Sequence, residues 1–267
     1  MKTIIITGST RGIGFGLAEN FLKLDQQVVI SGRSHESVNQ AVQNLSERFP
    51  AERILGVPCD IRVYQQVEAL WQIAAGHFGN IDIWINNAGI AQPQTSFWEL
   101  TTRQILDLVD TNISGAIFGA RVALAGFQGQ GNGAFYNMEG LGSDGRRVEG
   151  LTLYGTSKYA LHYLTRSLAA EVKGSEIIVG AIRPGMVLTD LILRPYDDRD
   201  PEDFEQTKRI FNILADRVET VTPFLAEKIL QNTKNDARIY WLTRGKVLWR
   251  FLTAPVNKRD LFKDMVS

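Results

Sequence analysis

The sequence predicts an α/β fold: one doubly wound, seven-stranded parallel sheet with helices on both faces. Three observations predict it. Short β-branched runs recur along the chain, separated by segments of helical period long enough for right-handed crossovers. Several of those runs are apolar throughout, the pattern of strands covered on both faces. No repeat or linker interrupts this rhythm from Thr3 to about Ile182, so the 267 residues read as a single domain.

The first strand, Thr3 to Thr7, runs directly into TGSTRGIG. That run puts Gly8, Ser9, Thr10, Arg11, Gly12, Ile13 and Gly14 in a turn and at the start of a helix that continues through Leu17, Ala18, Phe21 and Leu22. Glycines permit close backbone approach, and the free N–H groups and positive dipole end of the helix favour a pyrophosphate. Strand, glycines and helix together read as a Rossmann-type dinucleotide turn. The second strand, Gln27 to Ser31, ends in ISGRS. A NAD-specific site carries a carboxylate there for the ribose 2′-hydroxyl, but this chain has Gly32 and then Arg33. With Arg11, two guanidiniums are available to clamp a 2′-phosphate, so NADPH (NADP) is the expected cofactor.

The third strand, Arg53 to Val57, leads to Asp60 and Ile61, where Asp60 is expected to accept a hydrogen bond from the adenine amino group. The fourth, Ile81 to Asn86, is followed by Asn87, Ala88 and Gly89 at the carboxyl edge, where open α/β sheets bind ligands. After the fifth strand, Gly133 to Met138, comes YGTSK, in which Tyr154 and Lys158 share a helix face with a turn between them. Moving a tyrosine pKa from about 10 to about 7 takes roughly 4 kcal/mol, which a neighbouring ammonium in a dry site can supply. Taken alone, such a pair is usually coincidence. The sixth and seventh strands are Ile177 to Ile182 and Arg238 to Trp241.

Composition excludes several function classes. The chain is 44% hydrophobic, which excludes disorder, and 29 basic residues balance 29 acidic ones, so a nucleic-acid partner held by bulk positive charge is not expected. Cys59 is the single cysteine, so no intrachain disulfide can form. His35, His77 and His162 lack metal-ligand spacing, and no metal is expected. No apolar run reaches the roughly 18 residues that span a bilayer. Neither a signal peptide nor a transmembrane helix is predicted, and a cytoplasmic protein is the expectation.

TGSTRGIG, NNAG, Asn112 in DTNISG, YGTSK and the later RPG stand in the order typical of short-chain dehydrogenases/reductases, which the stretch from about Lys2 to Asp190 resembles. That resemblance implies Tyr154 as proton donor to a carbonyl oxygen and Lys158 as its pKa tuner and the holder of the ribose. It implies Asn112 as anchor of a water relay, Pro184 and Gly185 lining the nicotinamide, and Val187 and Thr189 contacting its carboxamide. A homodimer or homotetramer is also implied. The fifth strand of that family usually ends in NISS, whose second serine polarises the carbonyl. Here it ends in NMEG, Gly140 holds that position, and Ser143 is the nearest serine.

NMEGLGS, RPGMVLTDL, FNIL, VETV and YWLTRGKVLWRFL together resemble the chlorophyll(ide) b reductases, whose NM(D/E)GxGS run matches Ser143 to their serine. The resemblance implies NADPH-dependent reduction of a formyl group on a large hydrophobic pigment, chlorophyll or chlorophyllide. A second reading is a reductase of another hydrophobic aldehyde or ketone. A third, a non-catalytic dinucleotide sensor, is disfavoured because a sensor has no need of Tyr154, Lys158 and Asn112.

Two segments lie outside the repeating pattern. Between Leu188 and Thr220, six acids from Asp197 to Glu205 surround Pro195 and Pro201. A solvated loop is the default reading of such a charge cluster; the position of this segment after a late strand sets against it a substrate lid, with Leu191, Ile192, Leu193, Phe211 and Ile213 available to cover the ligand. Residues 244–267 form a C-terminal extension, where 244–252 place Val247 with Phe251 and Leu248 with Leu252 on helical rows beside Arg244, Lys246 and Arg250. Packing against the domain or a sister subunit, or peripheral contact with a membrane, would use such a helix.

Overall fold

The computed structural model describes residues 1–193, 201–257 and 259–263, and for 201–207 the backbone only. The strands are β1 (Thr3–Ile6), β2 (Gln27–Gly32), β3 (Ile54–Pro58), β4 (Ile83–Asn86), β5 (Gly133–Met138), β6 (Ile177–Arg183), β7 (Val187–Leu188), β8 (Asp216–Arg217) and β9 (Ala237–Tyr240). Seven form one sheet in the order β3-β2-β1-β4-β5-β6-β9, with every neighbouring pair parallel. The expected sheet is therefore present, with strand ends displaced by at most two residues. Ile81 and Asp82 precede β4, where the Asp82 carboxylate accepts from the Thr3 N–H at 2.8 Å.

The helices are α1 (Gly12–Lys23), α2 (His35–Ser46), α3 (Tyr64–Phe78), α4 (Thr102–Val109), α5 (Gly115–Gln130), α6 (Thr152–Glu171), α7 (Asp190–Leu193), α8 (Pro201–Leu214), α9 (Val218–Gln231) and α10 (Arg244–Thr253). Side chains of a strand alternate between its faces. Ile4 and Ile6 enter one core with Leu17, Phe21, Leu225 and Ile229, and Ile5 enters the other with Trp71, Trp84 and Phe127. A helix-covered layer on each side explains why β1 is apolar at every position. The strand order reverses between β1 and β4, which opens a crevice at the carboxyl ends of these strands.

The segment after β6 makes a small second layer. β7 pairs with β8 in parallel, and Leu188, Phe211, Ala215 and Phe262 form a separate apolar cluster beneath α8. The expected lid ends earlier than Thr220, because Val218 to Thr220 already belong to α9, which packs on α1. Gly16 permits that crossing, since a Cβ there would lie 2.5 Å from Val218 Cγ1. Asp197, Asp198, Asp200 and Pro195 lie outside the described residues, as do the side chains of Glu202, Asp203 and Glu205.

Asp216 fastens the C-terminal extension. Its buried carboxylate accepts from Arg250 Nη2 at 2.8 and 2.9 Å, from Arg259 Nη2 at 2.8 Å and from Trp241 Nε1 at 2.6 Å. The Arg250 side of α10 is thereby packed. Its Leu248, Trp249 and Leu252 are 62%, 66% and 67% exposed.

Candidate active site

The crevice is built outward from β1. Thr7 is buried, and its hydroxyl accepts from the N–H groups of Asn87 at 3.0 Å and Ala88 at 3.1 Å. The Asn87 amide donates in return to the carbonyls of Thr7 at 2.9 Å and Gly8 at 3.0 Å. The glycine turn and the NNAG turn are thus one hydrogen-bonded unit. A Cβ at Gly8 would lie 2.8 Å from the Ala88 Cα, and one at Gly14 would lie 2.7 Å from the Gly8 carbonyl. Gly8 also has φ of +63°, a backbone state that favours glycine. No side chain caps α1 at Arg11, leaving the N–H groups of its first turn to face a pyrophosphate.

Several residues expected to contact the cofactor have side chains engaged within the protein. Ser9 is fully buried, donating to the Ile6 carbonyl at 2.7 Å and accepting from the Ser31 N–H at 2.9 Å, so its hydroxyl joins β1 to β2. Ile13 packs against the core, and Ile61 fills the space above Gly115, where a Cβ would lie 2.7 Å from its Cδ1. The Asp60 carboxylate takes four contacts from Arg62: Oδ1 from its N–H at 3.0 Å and Nε at 2.9 Å, Oδ2 from Nε at 3.1 Å and Nη2 at 2.6 Å. The Asp60 carboxylate is thus engaged by three N–H groups of the arginine two residues on, which compete with the expected adenine contact.

The Arg62 hydrogen bonds hold the Asp60 carboxyl below its usual range against burial, with a smaller contribution from Arg33. Arg33 itself is exposed. Arg11, the other expected phosphate partner, pairs with Asp190 at 2.7 Å on the surface, an interaction of about 0–1 kcal/mol that a phosphate can displace. At Gly32 a Cβ would lie 2.6 Å from Thr10 Cγ2, so a side chain there requires the Thr10 side chain to shift.

Across the crevice, Gln92 sets where α6 begins. Its side chain accepts from the Tyr154 N–H at 2.7 Å, an otherwise orphaned donor of the first helical turn, and donates to the Gly150 carbonyl at 2.8 Å. Lys158 follows one turn later, its Nζ 5.6 Å from the Tyr154 ring centre and donating to the Met138 carbonyl at 3.1 Å. Gly140 abuts both, because a Cβ there would lie 3.0 Å from the Tyr154 hydroxyl and 3.4 Å from Lys158 Cε. A serine in this position would crowd the phenol. Ser143, buried, donates its hydroxyl to the Gly140 carbonyl at 2.6 Å, which brings it into the same neighbourhood.

Burial pushes the Tyr154 phenol up to about 12 and pulls the Lys158 ammonium down to about 8, with the Glu139 charge opposing the latter. The expectation of a tyrosine tuned to neutrality is not met. The ammonium lies beside the ring and is hydrogen-bonded to a carbonyl, so desolvation dominates. The phenol is held protonated, which is the form that donates to a carbonyl oxygen.

Asn112 sits in a π-helical turn, Asp110–Ser114, between α4 and α5. Its side chain accepts from the Ile90 N–H at 2.8 Å and donates to the Ile90 carbonyl at 2.9 Å and to Ser157 Oγ at 3.2 Å. The carboxamide is therefore a clamp between the NNAG strand end and α6; the expected water relay would have to form on a group already engaged three times. Gly89 lies where the parts meet, since a Cβ there would be 3.3 Å from Asn112 Oδ1 and 3.8 Å from Lys158 Nζ.

The segment from Pro184 and Gly185 to Thr189 crosses back to the glycine turn. Gly185 has φ of +76°, and Thr189 Cγ2 would lie 3.5 Å from a Cβ at Gly12. The Val187 side chain is in the core, so only its backbone can face a carboxamide. Phe211 also differs from expectation: it is buried against Phe262, with ring centres 6.2 Å apart, rather than covering the crevice. Ile192 and Leu193 pack on the same cluster, and Leu191 is exposed. Ile213 lines a cavity of about 550 Å³ between α8 and α10, together with Arg209, Asn212, Trp249, Arg250 and Arg259. Among the described residues no group of three His, Cys, Asp or Glu side chains could hold a metal.

Comparison with known proteins adds four findings. A family model described as short chain dehydrogenase matches residues 2–199. Chlorophyll(ide) b reductase NOL, chloroplastic, of Oryza sativa subsp. japonica is 36% identical over 231 residues, 85% of this chain and 66% of that protein. The 3alpha-hydroxysteroid dehydrogenase of Mediterraneibacter gnavus is 34% identical over 191 residues, 72% of this chain and 76% of that one. The solved structure of ElxO with NADP bound is similar with a TM-score of 0.78 at 25% identity, covering 90% of this chain and 96% of that chain. The chain spans just under two thirds of the length of the rice reductase it matches.

Proposed function

The chain belongs to the short-chain dehydrogenase family of oxidoreductases, and from that premise we propose that it reduces a formyl or carbonyl group on a large hydrophobic substrate with NADPH, as a chlorophyll(ide) b reductase. The observation that carries the reading is the buried, protonated Tyr154 phenol beside Lys158, across the crevice from an uncapped, glycine-shaped helix start. The glycine turn fits a dinucleotide pyrophosphate, and Arg33 with Arg11 fits a 2′-phosphate. When bound, the reduced nicotinamide supplies hydride. Tyr154 gives its proton to the substrate oxygen, Ser143 polarises that oxygen, and the Lys158 ammonium holds the ribose. Pro184, Gly185 and the backbone from Val187 to Thr189 border the nicotinamide end.

Similarity to the rice reductase supports the pigment as substrate; similarity to the hydroxysteroid dehydrogenase supports the second reading, another hydrophobic carbonyl. Purified protein supplied with NADPH and chlorophyll b or chlorophyllide b is expected to convert the pigment, seen by its absorption. If a steroid ketone turns over and neither pigment does, the second reading takes its place. No described helix is long and apolar enough to cross a membrane. The exposed Leu248, Trp249 and Leu252 of α10 support a peripheral membrane contact, and the family supports self-association; sedimentation with and without anionic vesicles tests both.

Cofactor choice has its own expected result. Arg33→Asp removes a phosphate partner and offers a ribose acceptor, so the ratio of kcat/KM for NADPH over NADH should fall by at least about tenfold, one charged hydrogen bond's worth. An unchanged ratio would mean that Arg33 does not meet the cofactor.

A further inference from the structure

The cavity of about 550 Å³ between α8 and α10 has the size of a ligand pocket and a lining of one sign. Arg209, Arg250 and Arg259 supply guanidiniums and Asn212 and Asn257 carboxamides, while no carboxylate lines it among the described residues. Asp216 behind it neutralises only part of this charge, because Arg250 and Arg259 share its single carboxylate. Their Nη groups also donate to the carbonyls of Leu214 at 2.9 Å, Ile213 at 3.4 Å and Ala215 at 2.8 Å, which fixes both guanidiniums. The Nε–H of each is left without an acceptor among the described residues, and the exposed Arg209 makes no ion pair among them. Three cations thus answer to one anion, with donors to spare on each guanidinium.

An apolar surface borders this cationic pocket. Trp249 is at once part of its wall and exposed. Leu252 stands three residues on from Trp249 and four from Leu248, so the helix sets the two leucines in the neighbouring row, and Val256 in the turn after α10 is also exposed. A small soluble anion has no use for that row, and a purely apolar partner has no use for three guanidiniums. An amphiphile with an anionic head matches both, and the guanidinium fork suits a phosphate. Resting on the membrane contact proposed above for α10, we propose that the cavity is the headgroup site of an anionic phospholipid, its phosphate taken by Arg209, Arg250 and Arg259 and its acyl chains lying along Leu248 and Leu252.

The test is cosedimentation of the full chain with vesicles of phosphatidylcholine alone and of phosphatidylcholine mixed with phosphatidylglycerol, with a thermal midpoint for each variant. The parent should bind the mixed vesicles at least about tenfold more tightly. Arg209→Gln, at an exposed position, should keep the parent's midpoint and weaken that binding by about tenfold or more, the loss of a fork on a phosphate, with Arg209→Lys between the two. Arg244→Gln, on α10 but outside the cavity, should cost only about fivefold, the share of one cation near an anionic surface. Equal losses at Arg209 and Arg244 mark a diffuse surface field and overturn the proposal. Inorganic phosphate that raises the midpoint of the parent but not of Arg209→Gln, with neither vesicle bound, assigns the cavity to free phosphate and overturns the lipid. A parent that binds both vesicle types alike keeps the membrane contact and loses this inference; one that binds neither, with no effect of phosphate, loses both.

Discussion

Tyr154→Phe should lower turnover by roughly two to four orders of magnitude, the contribution typical of a general acid, while NADPH binding stays within a few-fold. Phenylalanine keeps the ring that packs near Ile90 and Leu153 and loses only the proton. Burial pushes the phenol up to about 12, so it stands in the protonated form that donates to a carbonyl oxygen. Ser143→Ala should cost less, one to three orders, as for loss of one oxyanion-type donor. Stopped-flow nicotinamide oxidation separates the two steps. Equal turnover in parent and Tyr154→Phe would remove the phenol from the mechanism and leave Ser143 as the donor to examine.

The largest effect on stability is expected at Asp216→Ala. Removing this buried carboxylate strands two guanidiniums, Arg250 at 15% and Arg259 at 26% side-chain exposure, together with the Trp241 indole N–H. Breaking a buried pair by deleting one partner costs about 3–5 kcal/mol. At about 2–4 °C per kcal/mol for a domain of this size, Tm should fall by roughly 10 °C. Asp216→Asn, which keeps the shape and one acceptor, should lose less. A change under about 1 kcal/mol would mean that α10 is held by its apolar contacts and that the ion pairs are incidental.

The sheet was legible because burial on two faces writes itself into a strand as an unbroken apolar run, as in Ile4 to Ile6, and crossover helices write their own period between strands. The glycine turn was legible for a related reason. Gly8 and Gly14 answer to backbone contacts within a few ångströms that any side chain would violate. Side-chain commitments were not legible. Ser9 and Asp60 have the chemistry to bind a cofactor, yet their side chains are engaged by Ser31 and Arg62, partners that a linear motif does not reveal. Gln92, which positions Tyr154, lies 62 residues upstream of it with no periodic or motif signal. Phe211 was expected over the substrate because its segment follows a late strand; its partner, Phe262, comes from a tail whose path depends on Asp216.

Thr10 and Gly32 illustrate how a contact can constrain descent. The acid that would convert this site to NADH belongs at position 32, but a Cβ there would stand 2.6 Å from the Thr10 methyl. An acid acquired there first would have to displace the Thr10 side chain at the edge of the glycine turn. Thr10 must turn or shrink as position 32 grows, so the two positions are coupled. If Arg33 meets the 2′-phosphate as proposed, random single-residue libraries should recover NADH-using variants at 33 more often than at 32, where Thr10 has to move as well.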